Sequence, residues 1–274
     1  MLFVRDKGRM CNNILQFAHV YAWAREHGRR AVSMRFAYKY QYFHICHTRW
    51  HHFAVYLLAK WAARCGLLPV ASFHQPGSNP KAEALLERCK WLMVEGWEVR
   101  YYDLFLKYKD EILRLFAFDA KLRAKVLAYM RSAEGGETEE VIRLGVHVRR
   151  GDYQRWQGGK YLFADDTFIA YIKAFAAQHI GKKVHVYICG NDPTLNRARY
   201  EAELQGMAIS FPNGNPGEDL CLLSLCHWLI GPPSTFSLVA AMYNDLPLCW
   251  MMQPNVDESS LSFQRFNYLF RHIL

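Results

Sequence analysis

Gly145-Val146-His147-Val148-Arg149-Arg150-Gly151-Asp152-Tyr153 decides the reading of this chain. The run from Val141 to Val148 has the apolar, β-branched make-up of a buried strand. It then delivers a histidine, two arginines, an aspartate and a tyrosine into a turn. A strand that ends in polar side chains suits an open parallel sheet, whose ligands bind beyond the carboxyl ends of its strands. Strands and helices alternate outward from this point. After it come a helix over 165–178, a strand over 184–189, a helix over 193–205, a weak strand over 209–211 and a helix over 217–226. A strand over 228–231, a helix over 234–243 and a strand over 246–251 close the series. Before it, a strand over 2–4 leads through Lys7–Cys11 into a helix from about Asn12, which Gly28 ends. A strand over 31–36, a helix over 50–65, a helix over 80–90 opened by Pro80, a strand over 90–94 and a helix over 103–116 follow. This alternation predicts an α/β fold with parallel sheets covered by helices.

Two more strand tips carry polar residues. Trp228-Leu229-Ile230-Gly231 stops at Pro232-Pro233, and Ser234-Thr235-Phe236-Ser237 opens a helix, where hydroxyls and free N–H groups suit an anion. Tyr187-Ile188-Cys189-Gly190 leads into Asn191-Asp192-Pro193. Each tip alone is an ordinary cap or a solvated charge pair. Three tips at one sheet edge can converge on one ligand, and adjacent arginines offer forked, permanent charge to a diphosphate.

The 274 residues are 51% apolar and 22% charged, a globular composition and not a disordered one. There is no uninterrupted apolar run of about 18 residues, so no spanning helix is expected. The opening MLFVRDKGRM reads as strand and turn, not as the apolar core of a signal peptide. The eight cysteines form no CxxC pair, and most sit in apolar stretches, as reduced buried thiols do. These features point to a cytoplasmic protein. Residues 1–140 carry 22 basic and 14 acidic side chains against 12 and 11 in 141–274, so the net charge of +9 sits almost wholly in the first half. No nucleic-acid motif accompanies it, which leaves a nucleic-acid binder far behind the alternatives. Ser132 to Glu140 is small, acidic and glycine-bearing, a linker that divides the chain into residues 1–138 and 139–274.

His147-Val148-Arg149-Arg150-Gly151-Asp152-Tyr153 resembles the HxRRxDY signature of the α1,2-fucosyltransferases, glycosyltransferase family 11. Gly8-Arg9-Met10-Cys11-Asn12-Asn13-Ile14-Leu15-Gln16-Phe17-Ala18 is similar to that family's GRLGNQLFQYA loop and helix, with Cys11 and Asn13 as departures. Glu95-Gly96-Trp97 with Tyr101-Tyr102 resembles its EGYxQSxxYF segment, with Val99-Arg100 in place of Gln-Ser. Asn191-Asp192-Pro193 is similar to the DDP tip of the wider superfamily. Asp219-Leu220 and Ser234-Thr235-Phe236-Ser237 resemble its late acidic and serine motif. The matches run in the family's order from residue 8 to about 243.

The resemblance implies a GT-B-like enzyme of two Rossmann-like lobes, an acceptor-side lobe over 1–138 and a GDP-fucose lobe over 139–274. The activity it implies is inverting transfer of L-fucose from GDP-fucose to a galactoside hydroxyl of a glycan, in α1,2 linkage. Another linkage, or another nucleotide-sugar transferase of the same fold, is the alternative. By position, Arg149 would neutralise the β-phosphate of departing GDP, supported by Arg150. His147 and Asp219 would help hold guanine or ribose, with Asn191 and Asp192 beside them. Ser234 and Thr235 would bind phosphate, and Asn12 and Gln16 would face the acceptor. The general base stays open between Asp152, Asp165, Asp166 and a phosphate oxygen of GDP. No DxD metal clip is present, so no metal or other cofactor is expected. His44, Cys46, His47, His51 and His52 cluster without a familiar ligand spacing, and read as an acceptor-side surface. The basic and aromatic residues of 35–64 suit either a half-buried helix pair or peripheral contact with the anionic inner face of the plasma membrane, where the acceptor would be lipid-linked.

Overall fold

The computed structural model describes residues 1–5, 7–135, 141–190, 192–256 and 261–273. The chain forms two compact units, Met1–Asp119 and Ala120–Leu274. The first holds a parallel sheet in the order β2-β1-β4-β3, with β1 (Leu2–Arg5), β2 (Ala31–Ser33), β3 (Val70–Ser72) and β4 (Leu92–Glu95). Helix α1 (Met10–Glu26) crosses from β1 to β2 and buries most of its length, including Ile14, Phe17, Ala18 and Ala24. Gly28 takes φ +61° just past its end, the left-handed turn expected of it. Helix α2 (Phe53–Arg64) covers the sheet face formed by Phe3, Val32 and Met93. Helix α3 (Pro80–Arg88) precedes β4, and α4 (Tyr102–Lys107) and α5 (Lys109–Leu115) follow it. Residues 103–116, read as one helix, are thus two, separated at Tyr108.

In the second unit the order is β7-β6-β5-β8-β9, all parallel: β5 (Ile142–His147), β6 (Val184–Cys189), β7 (Ala208–Ser210), β8 (Trp228–Gly231) and β9 (Leu248–Trp250). The alternation along β5 assigns its two faces. Leu144 and Val146 pack with Phe168, Ile172 and Phe175 of α7 (Asp165–Ala177) and with Tyr200 of α8 (Arg197–Glu203). Gly145 points the other way, where an added Cβ would lie 2.7 Å from Leu223 of α9 (Pro216–Ser224) and 2.7 Å from Leu229. Helix α10 (Thr235–Asn244) packs on α9, and α11 (Phe266–Phe270) on α10. Connections run outward from β5 to β6 and β7, then return to β8 and β9. The reversal lies between β5 and β8, the switch point where such sheets open a crevice at their carboxyl ends.

The division between the units falls nineteen residues before the 138/139 boundary that sequence suggests. Helix α6 (Ala120–Ala133) packs on α9 and buries Val126 and Met130. Glu134 is no linker residue. Its carboxylate takes Arg143 Nε at 2.6 Å and Nη2 at 2.9 Å, and the Tyr187 hydroxyl at 2.7 Å. That clamp fastens α6 to β5 and β6. The remainder of the expected linker, 136–140, lies outside the described residues.

Candidate active site

Three neighbouring strands end at one edge: β6, β5 and β8. Their tips are held together by specific bonds. The Tyr153 hydroxyl donates to the Pro233 carbonyl, joining the turn after β5 to the loop after β8. Arg150 Nη1 donates to Asp192 Oδ2 at 3.3 Å, joining the same turn to the loop after β6. Its Nε donates to the Phe163 carbonyl at 3.0 Å, and Nη2 pairs with Asp165 at the start of α7. Burial acts to raise the Asp192 carboxyl, but hydrogen bonds from Thr194 and the charge of Arg150 outweigh it and hold it low. Small residues permit the closeness: a Cβ on Gly190 would sit 2.7 Å from the Val148 carbonyl oxygen, and one on Gly231 3.0 Å from that of His147.

Arg149 has a different setting. Its Nε and Nη2 donate to the two oxygens of Asp152 at 3.0 and 2.9 Å, and its guanidinium lies 5.4 Å from the centre of the Tyr153 ring. The two arginines therefore part company, one tied into the scaffold by two carboxylates and a carbonyl, the other held in a single fork at the turn. His147 is buried and stacks on Phe236 with ring centres 4.8 Å apart, and its Nδ1 has no hydrogen-bond partner. Burial, then the charge of Arg149, lowers its pKa to about 3, so the ring is neutral. Ser234 caps α10, its Oγ accepting the Phe236 N–H at 3.1 Å, and Thr235 is the first residue of that helix.

Beside these tips, an open cleft lies against the end of β7. Val126 and Tyr129 of α6, Pro212, Asn213 and Gly214 of the loop after β7, and Asp219 and Leu222 of α9 line it. An Asn215–Glu218 capping box fixes the start of α9. Asp219 Oδ1 is buried without a hydrogen-bond partner. Burial, then the neighbouring charge of Glu218, raises this carboxyl to about 7. The Lys125–Glu218 ion pair, at 2.6 Å, also borders this cleft, and its apolar walls with one desolvated acceptor suit a flat heterocycle that carries N–H donors.

Residues 96–269 match the profile of glycosyl transferase family 11, well over half of the chain. The chain belongs to glycosyl transferase family 11. It is 24% identical over 258 residues to galactoside 2-alpha-L-fucosyltransferase Sec1 of Mus musculus, covering 88% of this chain and 64% of that protein. It is also 24% identical over 253 residues to galactoside alpha-(1,2)-fucosyltransferase 2 of Oryctolagus cuniculus, covering 88% and 66%. The chain thus spans less than two thirds of these relatives' length. Among solved structures it resembles a mutant of Arabidopsis thaliana FUT1 in complex with GDP, with TM-score 0.62, 12% identity and coverage of 96% and 73%. It also resembles the NodZ fucosyltransferase from Bradyrhizobium, with TM-score 0.53, 13% identity and coverage of 96% and 98%. A NodZ alpha-1,6-fucosyltransferase soaked with GDP-fucose gives TM-score 0.52 at 14% identity, covering 96% and 98%. These likenesses establish the α/β, GT-B-like fold expected from sequence.

Set on this family 11 fold, the expected site residues divide. His147, Arg149, Arg150, Asp152, Asp192, Ser234 and Thr235 all lie at the ends of β5, β6 and β8, and Asp219 opens onto the cleft beside them. Asn191 lies outside the described residues. Asp165 pairs with Arg150 and Asp166 with Arg199, so both proposed bases are engaged in ion pairs. Gln16 is not an acceptor-facing residue: it is 2% exposed, donates from Nε2 to the Lys7 carbonyl at 2.7 Å and accepts the Lys7 N–H at 3.3 Å. It closes the loop before α1. Asn12, half-buried, lies under Gly8, where a Cβ would meet its Nδ2 at 2.9 Å. Gly96 (φ +109°) is obligatory, because a Cβ there would lie 1.9 Å from the Phe73 carbonyl oxygen. Arg100, a departure from the family pattern, folds onto Trp97 with its guanidinium 4.4 Å from the ring centre.

The histidine cluster is structural in part. His51 Nε2 accepts the Ser33 N–H at 3.0 Å, and its Nδ1 meets Thr48 Oγ1 at 2.6 Å. Among the described residues no group of three His, Cys, Asp or Glu side chains is arranged to hold a metal ion. Sequence reading missed the cleft's α6 wall, Val126 and Tyr129. Their only trace was helical spacing after Asp119, masked by the assignment of that stretch to the first lobe.

Proposed function

We propose that this chain transfers L-fucose from GDP-fucose to a galactoside hydroxyl, with inversion and in α1,2 linkage. The observation that carries the reading is the gathering of the Arg149 fork and the unpartnered buried His147 Nδ1 at the switch point of a family 11 sheet, with the unpartnered buried Asp219 Oδ1 in the cleft beside it. Asp219 would accept the N–H donors of guanine in the cleft beside α6. The neutral His147 ring would hydrogen-bond the nucleotide through Nδ1, and Ser234 and Thr235 at the start of α10 would hold its phosphates. The chain's similarity to the mouse and rabbit galactoside α1,2-fucosyltransferases favours fucose as the sugar and α1,2 as the linkage.

Chemically, the acceptor oxygen attacks C1 of fucose on the face opposite GDP. The C1–O bond to the β-phosphate breaks, and its electron pair stays on that oxygen. Arg149 would face this growing charge, and such a fixed donor lowers a barrier by about 3 kcal/mol. Asp152 orients Arg149 by taking both ends of its fork and is assigned no base role. The acceptor proton goes to a phosphate oxygen of departing GDP, so atoms and charge balance without a further reactant. No metal takes part in this scheme.

The test is incubation with GDP-fucose and a panel of galactosides and other glycans, with linkage and anomer determined on the product. An α1,2-linked fucoside is the expected outcome. Faster turnover of another sugar nucleotide, or a β-fucoside, would overturn the reading.

A further inference from the structure

Helix α2 has an outer face that the fold does not use. Its inner side, through Ala59 and the half-buried Val55, Tyr56, Ala62 and Ala63, packs on Phe3, Val32 and Met93. On its outer side Leu57, Leu58 and Trp61 are 47%, 68% and 59% exposed, and Leu67 in the turn beyond is 68% exposed. Positions 57, 58 and 61 are neighbours on one helical surface. A soluble surface seldom gathers apolar side chains of this size without a partner. Lys60 and Arg64 flank them from the same helix. Lys60 Nζ bonds the Tyr56 hydroxyl at 3.2 Å, and Arg35 lies 6.0 Å from the Tyr38 ring centre, beside Tyr56.

The surrounding sequence decides which partner fits. Residues 27–82 contain eight Lys or Arg and six His, and not one Asp or Glu. A second copy of the chain placed on this face by a two-fold axis would set Lys60 and Arg64 against their own kind. A nucleic acid would match the charge but leave Leu57, Leu58 and Leu67 in water. An anionic bilayer satisfies both. Leucine and tryptophan enter the boundary between headgroups and acyl chains while lysine and arginine reach the lipid phosphates. No helix among the described residues is long and apolar enough to cross a membrane, so the contact is one of lying on the surface. Leu67 lies on the turn before β3, at the amino edge of the first sheet. The loops after β1 and β4, at the carboxyl edge, are left open by a membrane at that end.

We infer that the outer face of α2, with Leu57, Leu58, Trp61 and Leu67 flanked by Lys60 and Arg64, docks this protein on a bilayer surface containing anionic lipid. The inference is independent of the donor and linkage proposed above. The full chain is floated with phosphatidylcholine vesicles, with and without one part in three of phosphatidylglycerol, at low and high salt. Wild type should float with the anionic vesicles alone, and release at high salt as the Debye length shrinks to about 3 Å in 1 M salt. Lys60→Glu/Arg64→Glu and Leu58→Glu/Trp61→Glu should each lower the partition coefficient at least about tenfold. Fucose transfer to a soluble acceptor and the melting temperature should stay unchanged, which separates failure here from failure of the activity. Equal flotation with neutral vesicles, no flotation of wild type, or full binding by both variants overturns the inference. So does a dimer, seen by sedimentation, that the Leu58→Glu/Trp61→Glu change dissolves.

Discussion

Arg149 and Arg150 are adjacent and chemically identical, yet their partners assign them opposite work. Arg149→Lys should be nearly as damaging as Arg149→Ala, because lysine keeps the charge and loses the planar fork. We expect kcat to fall on the order of a hundredfold in both, with a much smaller loss of GDP affinity, measured by steady-state kinetics and calorimetry. Arg150→Ala should act through the fold. It strands Asp165 and Asp192, whose side chains are only 13% and 9% exposed, and the loss of one member of a buried ion pair costs about 3–5 kcal/mol. A lowered melting temperature is therefore its signature, and an unchanged one would contradict the assignment. If Asp219 binds guanine as proposed, it should set the pH dependence of GDP affinity. Its carboxyl, raised to about 7 by burial and Glu218, is neutral in the free protein below that pH. Guanine N–H groups favour the charged form, so GDP affinity should climb about tenfold per pH unit up to 7 and level off above it. His147, lowered to about 3 by burial and Arg149, cannot supply a step in that range. In stability the sign is reversed. An acid whose folded pKa lies above its unfolded value destabilises progressively as pH rises between the two. Asp219→Asn should therefore raise the melting temperature at pH 8, leave it nearly unchanged at pH 4, and flatten the affinity profile. A pH profile of GDP affinity that stays steep in the Asn variant would move the step to another group.

At the scale of elements, the approach of the three strand tips rests on glycine, and two positions separate packing from site geometry. Gly145→Ala puts a methyl against the mobile ends of Leu223 and Leu229, each 2.7 Å away. It should cost about 1–3 kcal/mol of stability, as overpacking does, with GDP affinity within about twofold of wild type. Gly190→Ala puts the methyl 2.7 Å from the Val148 carbonyl, which is backbone and cannot rotate aside. The tips of β5 and β6 must then part, and GDP affinity should fall about tenfold or more, a loss of roughly 1.4 kcal/mol. Chemical denaturation and calorimetry on both variants check the contrast, and equal affinity losses would show that the tips move as one. The same elements show what sequence makes legible. Apolar runs such as Val184–Cys189 and the Ser234 cap announce strand and helix ends through local chemistry, so their positions and the parallel sheet could be read directly. The signature residues around Arg149 were legible because a short strand-end turn carries them together. Gln16 misled because a motif preserves residue type without revealing whether the side chain faces a ligand or its own loop. Helix α6 was misplaced because nothing local distinguishes a helix that packs on the preceding sheet from one that packs on the following one. That choice is made by Glu134 reaching Arg143 and Tyr187, bonds whose partners lie 9 and 53 residues away.

For the whole molecule, metal independence and the extent of the donor unit are the properties to test. Activity in EDTA should equal that in buffer; a loss beyond about tenfold, restored by Mg²⁺ or Mn²⁺, would mean that about 1.4 kcal/mol of barrier lowering comes from an ion. The division at 119/120 makes a sharper prediction. A fragment of residues 120–274 keeps α6 on α9, the Glu134 clamp on β5 and β6, and the Val126 and Tyr129 wall of the cleft. A fragment of residues 139–274, cut where the linker-like composition invites it, loses all three. It leaves Arg143 without the carboxylate that raises its pKa, and uncovers the surface of α9 on which α6 packs. We expect the longer fragment to melt cooperatively and bind GDP within about tenfold of the intact chain, and the shorter to show neither property. Equal GDP binding by both fragments would remove α6 from the donor site. Binding by the intact chain alone would place part of that site in residues 1–119, and the donor unit would then have to be redrawn.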